Sequence, residues 1–300
     1  MQTYQKYNNI VGWVVFLIAA VVYVMTAEPT ASFWDCGEYI ATSYKLQVGH
    51  APGALTFKLF GRFFSLFAFG NVENVAFMIN MLSVLSSAFT ILFLFWSITR
   101  LAKRMIGEEN MSNPQSYFSV LGAGLVGALA YTFSDSFWFS AVEGEVYAMS
   151  SFFTALVFWI MLKWDAESDD PKSLRWLVLI AFLTGLSIGV HLLNLLTFPA
   201  LVLIYYFRKY KVTTKGTVVA IGLSIILLAI LFYMIIPGVV WLAGQFELFF
   251  VNGLGMPFNS GTIFYFLFII AAIVFGLRWT RKKAKVILNT VILSLTFILI

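Results

Sequence analysis

The chain has 300 residues, of which 61% are apolar and only 11% are charged, and this composition excludes an ordinary soluble domain. A soluble domain is about half apolar and about a quarter charged, so lipid must solvate much of this surface. The net charge of +5 does not indicate a nucleic-acid partner, because the basic residues stand in short runs between apolar segments. The single cysteine, Cys36, excludes an internal disulfide.

Apolar segments of about 17 to 25 residues are long enough to cross a bilayer, and the sequence contains eight, with the start of a ninth. They lie near 10–27, 75–99, 117–134, 147–163, 174–190, 191–207, 217–236 and 262–278, and the last begins at 286. The fifth and sixth form a hairpin with its turn at 189–194, because both ends of 174–207 are basic. We therefore predict an all-α polytopic membrane protein with one transmembrane domain over 1–300, and the short ninth span suggests the N-terminal part of a longer chain.

The basic residues predict the orientation, since short cytoplasmic loops are enriched in lysine and arginine. With a cytoplasmic N-terminus, all of them fall on the cytoplasmic side except Lys45, Lys58 and Arg62. The first extracytoplasmic loop then runs over 28–74, and a loop of this length is usually functional or mobile. The outer segments also carry most of the acidic residues: Glu28, Asp35, Glu38, Glu73, Asp135, Glu143, Glu145 and Glu247.

Two carboxylates stand three residues apart in this first loop. Asp35 and Glu38 would share one face of a short helix. Carboxylates held together in this way can bind a cation or accept a proton from a substrate. The alternative is an ordinary helix start, with Ser32 as the N-cap and Asp35 as the partner in a capping box.

Two histidines and an arginine stand on the same predicted side. His50 precedes a turn, and Arg62 follows Lys58 by four residues, so these cations could hold a phosphate. The alternative for both Lys58 and Arg62 is that they snorkel from an interfacial helix. His191 and Asn194 share a helical face at the hairpin turn, where a histidine satisfied by a neighbouring carbonyl would look the same.

The second outer loop brings Glu143 and Glu145 to the start of the fourth span, followed by Tyr147. An ionisable group at this depth is a functional candidate by default. The aromatic residues before them are typical of an interfacial belt. A third outer loop is expected over 237–261, where glycines surround Glu247 and suggest mobility.

Four motifs in fixed order carry a family resemblance: WDCGEYI, VGHAPGAL, SAVEGEVYAMSSFF and GLSIGVHLLNLLTFPAL. They resemble a bacterial membrane family grouped as glycosyltransferase family 117, which is similar to the protein O-mannosyltransferases of the GT-C superfamily. The resemblance covers about residues 10–210. It implies a GT-C-like bundle of transmembrane helices with short helices in the first outer loop. It also implies a multi-pass protein of the bacterial inner membrane, with its active site on the periplasmic side.

The resemblance implies transfer of a sugar, mannose in the family, from a polyprenyl-phosphate lipid to a serine or threonine of an acceptor polypeptide, with inversion. The catalytic carboxylate of the family corresponds to Asp35, with Glu38 beside it, although O-mannosyltransferases usually have adjacent acids. Candidates for binding the donor phosphate are His50, Arg62 and His191. Candidates for binding the sugar or the acceptor are Glu143, Glu145, Tyr147 and Asn194. No cofactor is required, although carboxylate oxygens also suit a divalent metal.

Two other functions stay open from the residues alone. A secondary transporter also uses intramembrane acids and broken helices, but it places them near the midplane, whereas these acids cluster at the outer ends of spans. A noncatalytic membrane scaffold is the third class, and a chain that ends within a span permits it.

Overall fold

The structure is a computed structural model that describes residues 2–51 and 53–299. Every regular element in these residues is a helix, which confirms the prediction of an all-α polytopic membrane protein. The described α-helices are α1 (Gln2–Thr26), α2 (Cys36–Lys45), α3 (Leu55–Ser65), α4 (Val75–Ile106), α5 (Pro114–Thr132), α6 (Asp135–Ala141), α7 (Val146–Glu167), α8 (Leu174–Ile188), α9 (Phe198–Lys209), α10 (Thr214–Ile230), α11 (Ile236–Leu248), α12 (Ser260–Lys282) and α13 (Val286–Leu299).

Seven helical stretches of the described chain are long and apolar enough to cross a membrane. An eighth results if α5 and α6, which are bent by 68° at their junction, form one broken span. The shorter apolar α13 stands where the ninth span was expected to begin. The seven stretches are Gln2–Thr26, Val72–Ile106, Val146–Glu167, Pro171–Ile188, Leu192–Lys209, Thr214–Gly253 and Ser260–Lys282.

The helix that begins with α10 continues well past its predicted end at 236. π-Helical turns join α10 to α11 and extend α11, so that the stretch Thr214–Gly253 is helical throughout. Pro237 stands in the first turn of α11, after the π-helical turn, where the register of backbone hydrogen bonds has changed. The prediction of an outer loop over 237–261 is therefore wrong for most of its length.

The chain forms two compact units, and the first contains the described residues up to Lys163 together with Leu186–Asn194. In this unit α4 packs against both α1 and α5, and a hydrophobic cluster lies between them. A Cβ on Gly124 would lie 2.5 Å from a Thr99 methyl and 2.8 Å from the Phe95 ring. The missing side chain therefore permits the close approach of α5 to α4, as small residues do between membrane helices. Helices α2 and α3 lie in the first loop and pack on α4.

The second unit contains Trp164–Gly185 and the described residues from Leu195 onward. Within it α9 packs on α10, α11 on α12, and α12 on α13. Its charged side chains pair at helix ends, as in the contact of Arg175 with Glu167 at 3.0 Å. The side chains described next as a candidate site belong to the first unit.

Candidate active site

The first loop folds back on itself so that the start of α2 meets the turn that follows it. Asp35 occupies the N-cap position of α2 and makes no capping hydrogen bond with its side chain, which leaves the carboxylate for other contacts. Glu38 stands in the first turn of the same helix. Helix α2 ends at Lys45, and the left-handed φ of 50° at its C-cap residue Leu46 reverses the chain and returns His50 to the start of the helix.

Glu38 holds His50 with both of its carboxylate oxygens. Oε1 accepts the backbone N–H of His50 at 2.6 Å, and Oε2 accepts from the imidazole Nδ1 at 3.0 Å. A carboxylate can only accept, so Nδ1 carries the proton and Nε2 turns toward Asp35, whose Oδ2 lies 3.8 Å away. The two hydrogen bonds from His50 hold the pKa of Glu38 below its usual range, and the Glu38 carboxylate raises the pKa of His50.

Asp35 is the most accessible member of this group. Its side chain is 58% exposed, compared with 37% for Glu38 and 44% for His50. One ligand atom from each of the three side chains lies within 4.8 Å of the other two, a geometry that could also hold a metal ion. We call these three residues the Asp35–His50 cluster.

Lys58 supplies a cation beside the cluster. The sequence alone did not place this lysine next to Glu38. The side chain is only 4% exposed, and Nζ donates to the carbonyl of Gln47 at 3.3 Å. Its charge contributes to the lowered pKa of Glu38. Gly49 lies between the two charged groups and leaves room for both. A Cβ at this position would lie 2.6 Å from Glu38 Oε1 and 3.0 Å from Lys58 Nζ.

Tyr39 is a second neighbour that sequence reasoning missed, because an interior tyrosine of a short helix carries no signal of its own. Its ring lies 5.7 Å from the His50 ring and packs edge-on against Phe57 at 5.4 Å. Burial, followed by the charges of Glu145, Asp35 and Glu38, raises the pKa of Tyr39 to about 12. The phenol therefore keeps its proton and remains a hydrogen-bond donor at neutral pH.

Glu145 also lies near the cluster, although it belongs to a distant part of the sequence, the segment that leads into α7. It is 5% exposed, and one carboxylate oxygen accepts the N–H of Val146 at 3.3 Å. Burial raises its pKa to about 7, with smaller contributions from the charges of Asp35 and Glu143, while His50 acts in the opposite direction. This carboxyl group can exchange its proton near neutral pH.

Glu143 lies deeper, against the start of α2. It is 3% exposed, and burial raises its pKa although Ser32 and Cys36 donate hydrogen bonds to it. Its Oε2 has no hydrogen-bond partner among the described residues. Burial also raises the pKa of the Cys36 thiol, with the Glu143 and Glu145 charges adding to the effect. Cys36 is therefore a protonated donor and not a thiolate nucleophile.

Asn80 on α4 fixes the chain that leaves α1. The Asn80 amide is fully buried and donates to the carbonyls of Glu28 at 2.6 Å and Thr30 at 3.0 Å, the residues that leave α1. A Cβ on Gly144 would lie 2.7 Å from Asn80 Oδ1, so only glycine fits between the two acids. The amide thus fixes the chain just before Asp35, and Gly144 lets the segment that carries Glu143 and Glu145 pack against it.

The turn after α8 carries His191 and Asn194. The His191 ring lies 5.5 Å from the ring of Tyr147, its Nδ1 accepts the N–H of Leu193 at 3.1 Å, and burial lowers its pKa. Asn194 is 3% exposed, and its Oδ1 accepts from Ser150 and Thr154 at 2.7 and 3.1 Å. Asn194 therefore makes internal contacts that fix the turn.

Arg62 lies apart from the cluster. Its Nη1 donates to the carbonyl of Tyr44 at 2.8 Å and to Ser65 at 3.3 Å, and its guanidinium lies over the Tyr44 ring at 5.3 Å. The structure thus brings together Asp35, Glu38, His50 and Glu145, and it pairs His191 with Tyr147. Arg62 contacts Tyr44 and Ser65 instead.

The chain is similar to known proteins over this region. The model of the protein O-mannosyl-transferase TMEM260 N-terminal domain matches residues 35–214. The chain is 24% identical over 197 residues to the protein O-mannosyl-transferase tmem260 of Dictyostelium discoideum, an alignment that covers 64% of this chain and 22% of that protein. It is 26% identical over 175 residues to the protein O-mannosyl-transferase TMEM260 of Mus musculus, covering 58% and 22%. The chain thus spans about a fifth of the length of these relatives, and no solved structure matches it significantly.

Proposed function

The chain belongs to the family of the protein O-mannosyl-transferase TMEM260 N-terminal domain, and from this premise we propose that it carries the active site of a membrane glycosyltransferase of the GT-C type. The resemblance found in the sequence is confirmed as membership of a protein O-mannosyltransferase-like family. In the proposed reaction, mannose moves from a polyprenyl-phosphate lipid to a serine or threonine hydroxyl of an acceptor polypeptide, with inversion.

The observation that carries this proposal is the Asp35–His50 cluster. An exposed carboxylate stands beside an imidazole whose orientation is fixed by a second carboxylate, in the loop that follows the first candidate span of a helical membrane protein. A general base needs an accessible oxygen, defined neighbours and room for the reacting atoms. Asp35 meets these conditions, whereas Glu38 is already engaged by two hydrogen bonds from His50.

In the proposed step, Asp35 removes the proton of the acceptor hydroxyl as its oxygen attacks the anomeric carbon of the sugar. A new carbon–oxygen bond forms, and the bond from the anomeric carbon to the phosphate oxygen breaks. The electron pair leaves with the lipid phosphate, and the proton remains on Asp35. Attack from the face opposite the leaving group inverts the configuration.

The leaving phosphate is already a stable anion, so the site needs cations near its oxygens rather than a strong acid. His50, with its raised pKa, supplies positive charge within the cluster, and Lys58 supplies it from beside the cluster. His191 and Arg62 stay as predicted phosphate contacts for a donor that extends along the first loop. Glu145, Glu143 and Tyr147 are the proposed contacts for sugar or acceptor hydroxyls, and a divalent metal on the cluster is an alternative way to hold the phosphate.

The test is turnover by the purified full-length protein with polyprenyl-phosphate mannose and an acceptor polypeptide. We expect release of lipid phosphate and an inverted mannosyl product, and we expect Asp35→Asn to lower kcat by about a hundredfold or more, the usual contribution of a general base. Asp135→Asn is the matched control, since Asp135 is an exposed acid at the start of α6. Turnover of Asp35→Asn at the parent rate would remove Asp35 from this role, and a chelator that abolishes activity would favour the metal.

The proposal includes a topology, with a cytoplasmic N-terminus and the cluster on the extracytoplasmic face. In a Cys36→Ser background, a membrane-impermeant maleimide should label Val48→Cys in intact cells, because Val48 is 93% exposed beside the cluster. Met105→Cys, at a position 87% exposed at the other end of α4, should react only after permeabilisation. The reverse pattern would contradict the topology. The named relatives are eukaryotic, so location in a bacterial inner membrane stays a prediction of the motif resemblance.

A further inference from the structure

A polar cavity lies at the ends of α1, α4 and α7 that are opposite the candidate site. It has a volume of about 390 Å³ and lies between the first turns of α1 and the last turns of α4 and α7, all within the first unit. We call it the cationic pocket, and its charged and aromatic lining includes Tyr4, Trp96, Arg100, Lys103, Trp159 and Lys163.

The charge of the pocket has one sign. Arg100, Lys103 and Lys163 line it, and none of its described lining residues is acidic. Lys103 is 7% exposed and pairs with Glu108, which lies outside the lining, at 3.0 Å. Arg100 and Lys163 form no ion pair within the described part of the chain. Two cations are therefore available to an anion that enters.

Two of the residues that line the pocket also carry buried polar atoms that lack partners. Trp96 Nε1 and Asn8 Oδ1 are buried, and neither has a hydrogen-bond partner among the described residues. Buried polar groups are usually satisfied, so each unpaired group indicates a missing partner. The indole N–H needs an acceptor, such as a phosphate oxygen, and the amide oxygen needs a donor, such as a hydroxyl.

The lining holds these groups in place. Trp96 stacks on Trp159 with the ring centres 5.4 Å apart, and Lys163 Nζ lies 5.0 Å from the Trp159 ring. Gly12 on α1 lets the indole approach closely, since a Cβ there would lie 2.6 Å from Trp96 Nε1. The pocket is thus built on packed aromatic rings and is not a chance arrangement of surface lysines.

The surface beside the pocket favours a lipid over a soluble phosphate compound. Along α1, directly after the pocket residues, Ile10, Trp13, Val14 and Leu17 are between 46% and 57% exposed. In a helix that spans the membrane these side chains face hydrocarbon. An acyl chain could therefore lie on this face while its headgroup occupies the pocket.

We propose that the cationic pocket binds the phosphorylated headgroup of an anionic phospholipid. In this arrangement Arg100 and Lys163 contact the phosphate oxygens, and Lys103 adds charge from the inner wall. The indole N–H of Trp96 and the amide of Asn8 pair with headgroup oxygens and hydroxyls. The site is separate from the Asp35–His50 cluster and does not depend on the transferase activity.

The experiment measures retention of phosphatidylglycerol by the purified full-length protein, using native mass spectrometry after delipidation and titration. We expect one tightly held phosphatidylglycerol and weaker binding of zwitterionic phosphatidylcholine. Arg100→Gln/Lys163→Gln should weaken binding about tenfold or more, equivalent to about 1.4 kcal/mol. Lys6→Gln/Lys215→Gln is the control, because both of these lysines are exposed outside the pocket and the variant loses the same charge.

Equal loss of binding in the two double variants would overturn the proposal, since general surface charge would then explain retention. Inorganic phosphate that displaces the lipid completely would also overturn it and would indicate a soluble phosphate ligand. If the double variant does not fold, Lys163→Gln alone carries the test, because Lys163 is exposed at the rim. Trp96→Phe should weaken phosphatidylglycerol binding through loss of the N–H, and unchanged binding would remove that contact from the site.

Discussion

The two histidines of the chain have opposite environments. The Glu38 carboxylate raises the pKa of His50, whereas burial lowers the pKa of His191. His50 thus favours the charged form and His191 the neutral form. The contribution of the Glu38 contact to stability is fully present below the ordinary pKa of histidine and is lost as the pH rises through the raised pKa of His50.

A histidine-selective NMR titration can test this difference, because the chain contains only two histidines. We expect the pKa of His50 to lie above that of His191. Glu38→Gln should lower the pKa of His50, since it removes the charge that stabilises the imidazolium, and should leave His191 unchanged. Glu73→Gln, an exposed acid of the same loop, is the control. Identical titration of the two rings in the parent protein would contradict the geometry described for Glu38.

Gly49 permits the close approach of Glu38 and Lys58. Its replacement can show whether the position of Glu38 affects activity while the fold remains stable. In Gly49→Ala the new methyl would meet the ends of two flexible side chains and no backbone atom. We therefore expect the fold to survive while Glu38 shifts and releases His50, with activity about tenfold to a hundredfold lower. The measurements are turnover and thermal unfolding. Gly122→Ala is the control and should change neither quantity, because nothing lies within 4 Å of the new Cβ. Full activity of Gly49→Ala would show that turnover does not need the contact between Glu38 and His50.

The candidate site was only partly predictable from the sequence. Asp35, Glu38 and His50 were found because acids and histidine are rare in an apolar chain and stand in its longest outer loop. The contact between Glu38 and His50 was not predictable, because it depends on a chain reversal at Leu46, a left-handed residue that is not glycine. Lys58 was assigned to the membrane surface as readily as to a phosphate, since the same four-residue spacing serves both.

At the level of elements, Asn80 on α4 anchors the segment that leaves α1, and Gly144 before α7 packs against the same side chain. Asn80→Ala should destabilise the protein by about 2 to 4 kcal/mol, because two carbonyls lose a buried donor. It should also lower activity, since Asp35 follows the anchored segment. Thermal unfolding and limited proteolysis of the first loop measure the effect.

Asn110→Ala is the matched control for this prediction, since Asn110 donates a single exposed hydrogen bond to the carbonyl of Ile106. We expect its unfolding temperature and its proteolysis pattern to match those of the parent protein. Equal stability of Asn80→Ala and the parent would mean that the loop does not depend on this amide.

The helices were more predictable than their ends. Apolar length found every long span, because lipid demands about the same number of residues each time. The continuation into α11 was missed because proline and the glycines after it are typical of loops, while the π-helical turn that precedes Pro237 is invisible in sequence. Glu247, expected in a mobile loop, instead accepts the N–H of Asn259 at 2.5 Å and of Thr262 at 2.9 Å and so fixes the start of α12.

At the scale of the molecule, the first unit has two polar ends with opposite chemistry. One end of α1, α4 and α7 carries the acids and His50 of the candidate site, and the other carries the cationic pocket. The predicted orientation turns the basic end toward the cytoplasm. A lipid headgroup at one end and a lipid-linked sugar at the other would thus meet the same helices from the two leaflets.

The stability of the whole protein should depend on the ionisation of Glu145. Burial raises its pKa from 4.5 to about 7, so the folded state holds a proton that the unfolded state has released. The free energy of unfolding therefore falls as the pH rises from about 4.5 to 7, by up to about 3 kcal/mol for this group. His50 acts in the same direction and His191 in the opposite one, so the difference between parent and variant is the informative quantity.

Glu145→Gln removes the buried charge and keeps the shape of the side chain. We expect the variant to unfold several degrees above the parent at pH 8 and at nearly the same temperature as the parent at pH 5. Its turnover should fall, because a polar contact of the site is lost. Intrinsic-fluorescence melting of the purified protein across this pH range measures the first effect. Asp135→Asn should follow the parent at every pH. A variant at Glu145 that is less stable than the parent at both pH values would show that the carboxylate is held by favourable contacts, and its raised pKa would then be excluded.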